Sequence, residues 1–167
     1  MPQELINNLN FKYLNFILYK QNRNNIMKNT LNIIPEEPDL VFIALNPTKE
    51  AIANKAVFSK NEAFWNLLVK ANIIYPDIKK ENLKNRAKAV FSGENNYSAV
   101  KLGFADLLPL VSETDSKKVK VEKGSAKKLL ETIDNLKDAK RIALLGQKVV
   151  DSFAKDYNLM KWKDLEM

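Results

Sequence analysis

The 167-residue chain is 46% apolar and 28% charged, and its 27 Lys and Arg against 20 Asp and Glu give a net charge of +7. That balance fits one domain with a single substantial core, and the basic surplus favours a polyanionic partner, either nucleic acid or a phosphorylated ligand. Neither cysteine nor histidine occurs, which excludes disulfides, iron–sulfur clusters, thiolate or imidazole metal sites, cysteine nucleophiles and Ser-His triads.

Any catalysis therefore falls to carboxylates, amides, hydroxyls, lysines, backbone groups or a carboxylate-held metal. The start, MPQELINNLNFKYLNFILYK, lacks the basic n-region and the long apolar stretch of a signal peptide. No run of about 18 apolar residues occurs, so no membrane helix is expected and a cytoplasmic location is.

Residues 3–28 read as a helix, with Leu5, Ile6, Leu9, Tyr13, Phe16 and Ile17 at steps of three and four. Packing is the better reading of that stripe than binding to DNA or a partner. The Asn-rich segment Asn22–Asn32 interrupts it, and IIPEEP reads as a linker. Residues 1–36 thus form a helical segment with linker, and residues 37–167 an α/β domain.

Leu40–Leu45 is a short apolar run between Pro38 and Pro47, the pattern of a strand buried on both faces. Ser59 and Glu62 have the spacing of a capping box, with Phe64, Leu67, Leu68 and Ala71 as the apolar face of the helix that follows. A polar helix is expected over Lys79–Phe91. Val100–Leu107 reads as extended, with Gly103 marking a bulge or a close approach.

Asp115–Lys128 carries six lysines against two acids and reads as an exposed loop entering a Ser125-capped helix over Ala126–Leu136. RIALLGQKVVDSFAKDY then gives a second buried strand, Arg141–Leu145, a Gly146 turn and a helix. Strands alternating with helices, apolar along their length, predict an α/β fold with a largely parallel sheet.

Sheets of that kind hold ligands beyond the carboxyl ends of their strands, where Asn46 and Gly146 lie. The turn after Leu145 lacks both a GxGxxG pattern and a Walker lysine, so an ordinary dinucleotide or NTP site is not expected. Taken alone, ALNPT is a strand-ending turn, since Asn before Pro favours one.

Three features widen that reading. Phe58 follows Asn46 by twelve residues and precedes the Phe64-Trp65 pair in NEAFW; LGFADL comes later, and RIALLGQKVVDSFA later still. Their order resembles the uracil-DNA glycosylase superfamily, closest to its mismatch-specific uracil/thymine branch, over about Asp39–Ala154. The resemblance implies a three-layer sandwich around a short, largely parallel sheet. It also implies hydrolysis of the N-glycosidic bond of uracil, or a related mismatched pyrimidine, in DNA, as in base excision repair.

By the same resemblance Asn46 is the catalytic candidate, positioning the attacking water, and Phe58 stacks on the extruded base. Leu45, Pro47 and Thr48 line the base pocket, and Lys49, Lys55 and Lys60, with the Asp115–Lys128 loop, are candidate DNA contacts. No metal and no cofactor are needed, and DNA is the expected partner. The chemistry suits the inventory: an amide is a poor base but can hold a water through its carbonyl oxygen, and backbone N–H groups near Thr48 can stabilise charge on the leaving base.

The chain departs from the family pattern in four places. Thr48 stands where the family has Gly, and the Phe58-to-Phe64 interval is about one residue shorter. Asp106 places a carboxylate near the pocket, read here as a turn-capping Asp. The family's fourth strand and its Asn-Pro-Ser-Gly-like second motif are not met before Met167. The sheet is therefore expected to lack its last strand, with Arg141–Leu145 an exposed edge. Two other functions fit the same residues: a degenerate member that binds nucleic acid or a nucleobase without cleavage, and an unrelated α/β domain for a phosphorylated small molecule.

Overall fold

The computed structural model describes residues 31–93 and 96–158, so the helix expected over residues 3–28 lies outside the described residues. Its elements are β1 (Leu40–Ala44), α1 (Lys49–Asn54), α2 (Glu62–Lys70), α3 (Leu83–Phe91), β2 (Leu102–Asp106), α4 (Ser125–Thr132), β3 (Ile142–Leu144) and α5 (Gln147–Tyr157).

The three strands form a parallel sheet in the order β2-β1-β3. The chain crosses from β1 to β2 through α1–α3, then returns past β1 to β3 through α4. Crossovers between parallel strands are right-handed as a rule, so two crossovers in opposite directions put their helices on opposite faces. Burial agrees. Phe42, Leu102 and Phe104 pack against Phe64, Trp65 and Leu68 of α2 and against Ala87, Val90 and Phe91 of α3. Val41, Ile43 and Ala105 are closed on the other face, and α4 and α5 bury Ala126, Leu129, Val149 and Phe153. The result is the α/β three-layer arrangement.

Gly103 marks a close approach and not a bulge, because β2 pairs in unbroken register with β1. A Cβ there would lie 3.0 Å from Val41 Cγ2 and 3.3 Å from the Ile33 carbonyl. Ile33 exchanges two backbone bonds with Phe104, at 2.8 and 2.7 Å. Part of the stretch that reads as linker thus covers the outer edge of β2.

Several local expectations are corrected. Asn61, not Ser59, caps α2: its Oδ1 accepts from Phe64 N at 3.1 Å, while Ser59 is buried and takes the Asn54 amide at 3.2 Å. Leu67 is 62% exposed, and Trp65 takes the buried position instead. The helix expected over Lys79–Phe91 divides into a 3-10 turn, Pro76–Lys80, and α3, because Asn82 caps afresh through Asn85 N at 3.0 Å.

Ser125 does not cap α4. Its hydroxyl donates back to the Glu122 carbonyl, and the Asp156 carboxylate of α5 accepts from Gly124 N and Ala126 N at 2.8 and 2.9 Å. That helix stops at Thr132, and Asp134–Leu136 is a 3-10 turn. β3 is shorter and less covered than a strand buried on both faces: it spans three residues, Ile142 is 37% exposed, and among the described residues it pairs with β1 alone. No helix among the described residues is long and apolar enough to cross a membrane.

Candidate active site

β1 and β2 end side by side, Ala44 opposite Asp106. From there the chain leaves β1 toward α1 and leaves β2 toward α4, on opposite faces of the sheet. Departing connections open a crevice between them. A cleft of about 400 Å³ lies there, lined by Asn46, Pro47, Thr48, Phe58, Phe104 and Asp106, with Glu50, Lys60 and Thr114 at its wall. An adjoining groove runs past Leu45 and Phe64 to Leu145 and Gly146.

Asn46 stands two residues beyond β1, and its amide nitrogen is fully committed. Nδ2 donates to the carbonyls of Pro47 (3.0 Å), Val111 (3.2 Å) and Glu113 (2.8 Å). These bonds fix the amide plane and tie the β1 turn to the loop leaving β2. Among the described residues the Asn46 carbonyl oxygen has no partner, so it can accept a hydrogen bond from a water or a ligand. Lys148 secures the far end of the same loop, donating to the Ser116 and Val119 carbonyls at 2.6 Å each.

Phe58 is half-buried with φ of +53°, and it sits in an aromatic cluster. Its ring stacks on Phe64 at 3.7 Å and meets Phe104 nearly edge-on at 5.0 Å. Trp65 Nε1 donates to its carbonyl at 3.3 Å. A left-handed φ is costly for a bulky residue and persists where surroundings hold it. Here the ring contacts and the indole bond do so, and Phe58 forms part of the cleft lining.

Thr48 lines the cleft, but its hydroxyl is engaged as the cap of α1, accepting from Ala51 N at 3.1 Å. Pro47 is buried beside it. The lysines are dispersed. Lys60 borders the cleft, 3.9 Å from Glu50, whereas Lys49 and Lys55 are exposed and line neither cleft nor groove. The Glu50 carboxyl is held below its ordinary range by its own backbone N–H and, after a smaller opposing effect of burial, by the Thr114 hydroxyl at 3.2 Å.

Asp106 is the residue that sequence reasoning assigned wrongly. It caps no turn: it is 1% exposed, and among the described residues neither carboxylate oxygen has a hydrogen-bond partner. Its own backbone N–H is satisfied by Asn32 Oδ1 at 3.0 Å. Burial raises the carboxyl to about 7. The signal was present in LGFAD, since period-two alternation puts Asp106 on the same buried face as Phe104.

Among the described residues no group of three or more acidic side chains is arranged to hold a metal. Compared with family models, residues 31–166 match that of the uracil DNA glycosylase superfamily. No curated protein matches the chain.

Proposed function

Because this chain belongs to the uracil DNA glycosylase superfamily, we propose that it is a glycosidic hydrolase releasing uracil or a related mismatched pyrimidine from DNA. The observation that carries the reading is the pairing, in one cleft, of an immobilised Asn46 with the flat ring of Phe58. The target nucleotide must leave the base stack to be attacked, and a stacking surface holds it once extruded.

In this reading the Asn46 carbonyl accepts a hydrogen bond from a water and aims its oxygen at the sugar C1′. The C–O bond forms as the glycosidic bond breaks, and the base departs with the bonding pair to take up at its nitrogen the proton that the attacking water gives up. Asn46 supplies orientation rather than basicity. Lys60, beside the cleft, and the lysines of the Asp115–Lys128 loop are the positions from which phosphates would be met.

Base release from uracil-containing DNA, measured in single turnover at enzyme excess, tests the proposal. Release from a G·U duplex exceeding that from A·U would place the chain in the mismatch-specific branch. Absence of release from both duplexes and from single strands would exclude the activity; steeply salt-dependent DNA binding without release would identify a binding member instead.

A further inference from the structure

The cleft does not end at Phe58. Asn46, Phe58, Asn61 and Thr114 line both the cleft and the groove beside it, so the two form one continuous trough. The trough follows the sheet. The cleft lies over the ends of β2 and β1, and the groove crosses β1 to Leu144–Gly146 at the end of β3. The groove encloses about 680 Å³ against about 400 Å³ in the cleft, and each is large enough for a small-molecule site. One extruded base fills only the smaller part.

The larger part is apolar. Leu45, Phe64, Leu67, Leu144 and Leu145 line it, and among the described residues Glu113 is the one charged side chain that does. Phe64 and Leu67 stand one turn apart on the same face of α2. Leu67 is 62% exposed, so this strip faces water and gains by being covered. The wall opposite is already in place: Asn46 holds the Glu113 carbonyl at 2.8 Å and Lys148 the Ser116 carbonyl at 2.6 Å. A ligand entering the groove has little left to order.

Resting on the glycosylase reading, we propose that the groove takes the base next to the extruded one, so that the protein grips two consecutive nucleotides and favours single-stranded DNA. One phosphodiester separates neighbouring nucleotides, and the groove adjoins the cleft through the shared residue Phe58. Every base has a flat apolar face, so a groove of this lining accepts any neighbour. The linking phosphates stay outside, where Lys117 and Lys118 are exposed on the loop just past Thr114.

Strand preference follows from what the neighbour must give up. In a duplex it is stacked and paired, and moving it into the groove adds a second unstacking to that of the target. In a single strand it is free to enter. The groove therefore strengthens binding of single strands and contributes little to duplexes.

The test is fluorescence anisotropy of the intact protein with short labelled strands. Each carries one 2′-fluorinated deoxyuridine, whose glycosidic bond resists hydrolysis. The single strand should bind about tenfold tighter than the same strand annealed opposite guanine. An abasic tetrahydrofuran on one side of the uracil, but not on the other, should weaken single-strand binding about tenfold. Leu67→Ser, a change at an exposed helix position, should weaken binding of the intact strand about fivefold and leave that of the abasic strand unchanged. Duplex bound as tightly as single strand, no effect of the abasic residue on either side, or equal effects of Leu67→Ser on both strands would each overturn the proposal. Base release is scored separately on ordinary uracil-containing DNA. Neighbour-dependent binding without release removes the hydrolytic reading and leaves the role of the groove standing; release without neighbour dependence does the reverse.

Discussion

The Asn46 amide donates to the Glu113 carbonyl at 2.8 Å and so joins the turn after β1 to the loop after β2. The residue assigned to hold water is thus also a structural tie, with Val111 as a further acceptor. Asn46→Ala should lower single-turnover base release by about 100-fold or more, through loss of water positioning. It should also cost about 1 kcal/mol for each long-range bond removed, seen as faster amide exchange around residues 111–115. Slowed release with unchanged exchange would mean that the tie contributes nothing to the loop.

Phe58 has two roles that substitution can separate. Truncation to alanine removes a ring stacked on Phe64, and loss of a large core side chain costs about 3 kcal/mol or more. Phe58→Leu keeps much of the apolar volume but not the flat surface. Base stacking on aromatic side chains contributes about 1–3 kcal/mol, so Phe58→Leu should weaken uracil binding roughly tenfold or more while its urea midpoint falls less than that of Phe58→Ala. Equal binding by Phe58→Leu and wild type would show that the base does not lie on this ring.

Strand positions were readable because the runs are short, apolar and bounded by proline, as in Leu40–Ala44. That the sheet is parallel followed from the helices between the strands, whereas the order β2-β1-β3 did not. Capping was less legible, since several residues near each helix start can accept the same N–H: Asn61 outcompetes Ser59, and Asp156 reaches α4 from another helix altogether. Partners distant in sequence leave no local pattern. Asp106 failed for a different reason. Asp at a strand end usually caps a turn, and alternation with Phe104 was the competing signal that should have decided its face.

Gly103 provides a test of the fold that is independent of the site. A methyl group there would meet Val41 Cγ2 at 3.0 Å, Ile34 Cδ1 at 3.2 Å and the Ile33 carbonyl at 3.3 Å. The side chains can shift, but the carbonyl belongs to the bridge with Phe104. Gly103→Ala should therefore destabilise the protein by about 1–3 kcal/mol, as overpacking does, with thermal unfolding as the measurement. A neutral substitution would mean that the Ile33–Phe104 bridge is not held closely.

The Asp106 carboxyl also predicts how stability varies with pH. Burial lifts it from 3.8 to about 7 in the folded protein. Below 3.8 both states hold the proton, and the group makes no difference. Between 3.8 and 7 the unfolded chain releases it while the folded one retains it, so the contribution to stability falls with rising pH, by up to about 1.4 kcal/mol per unit. Above 7 both states are ionised and the deficit is constant. Asp106→Asn never ionises, so it should be more stable than wild type by a margin that grows from pH 4 to 7, reaches a few kcal/mol at most, and then levels. Urea unfolding of both proteins at pH 5, 6, 7 and 8 measures that margin, and a gap independent of pH would refute it. A carboxyl that weakens the fold at neutral pH while lining the cleft is the pattern expected of a group kept for function.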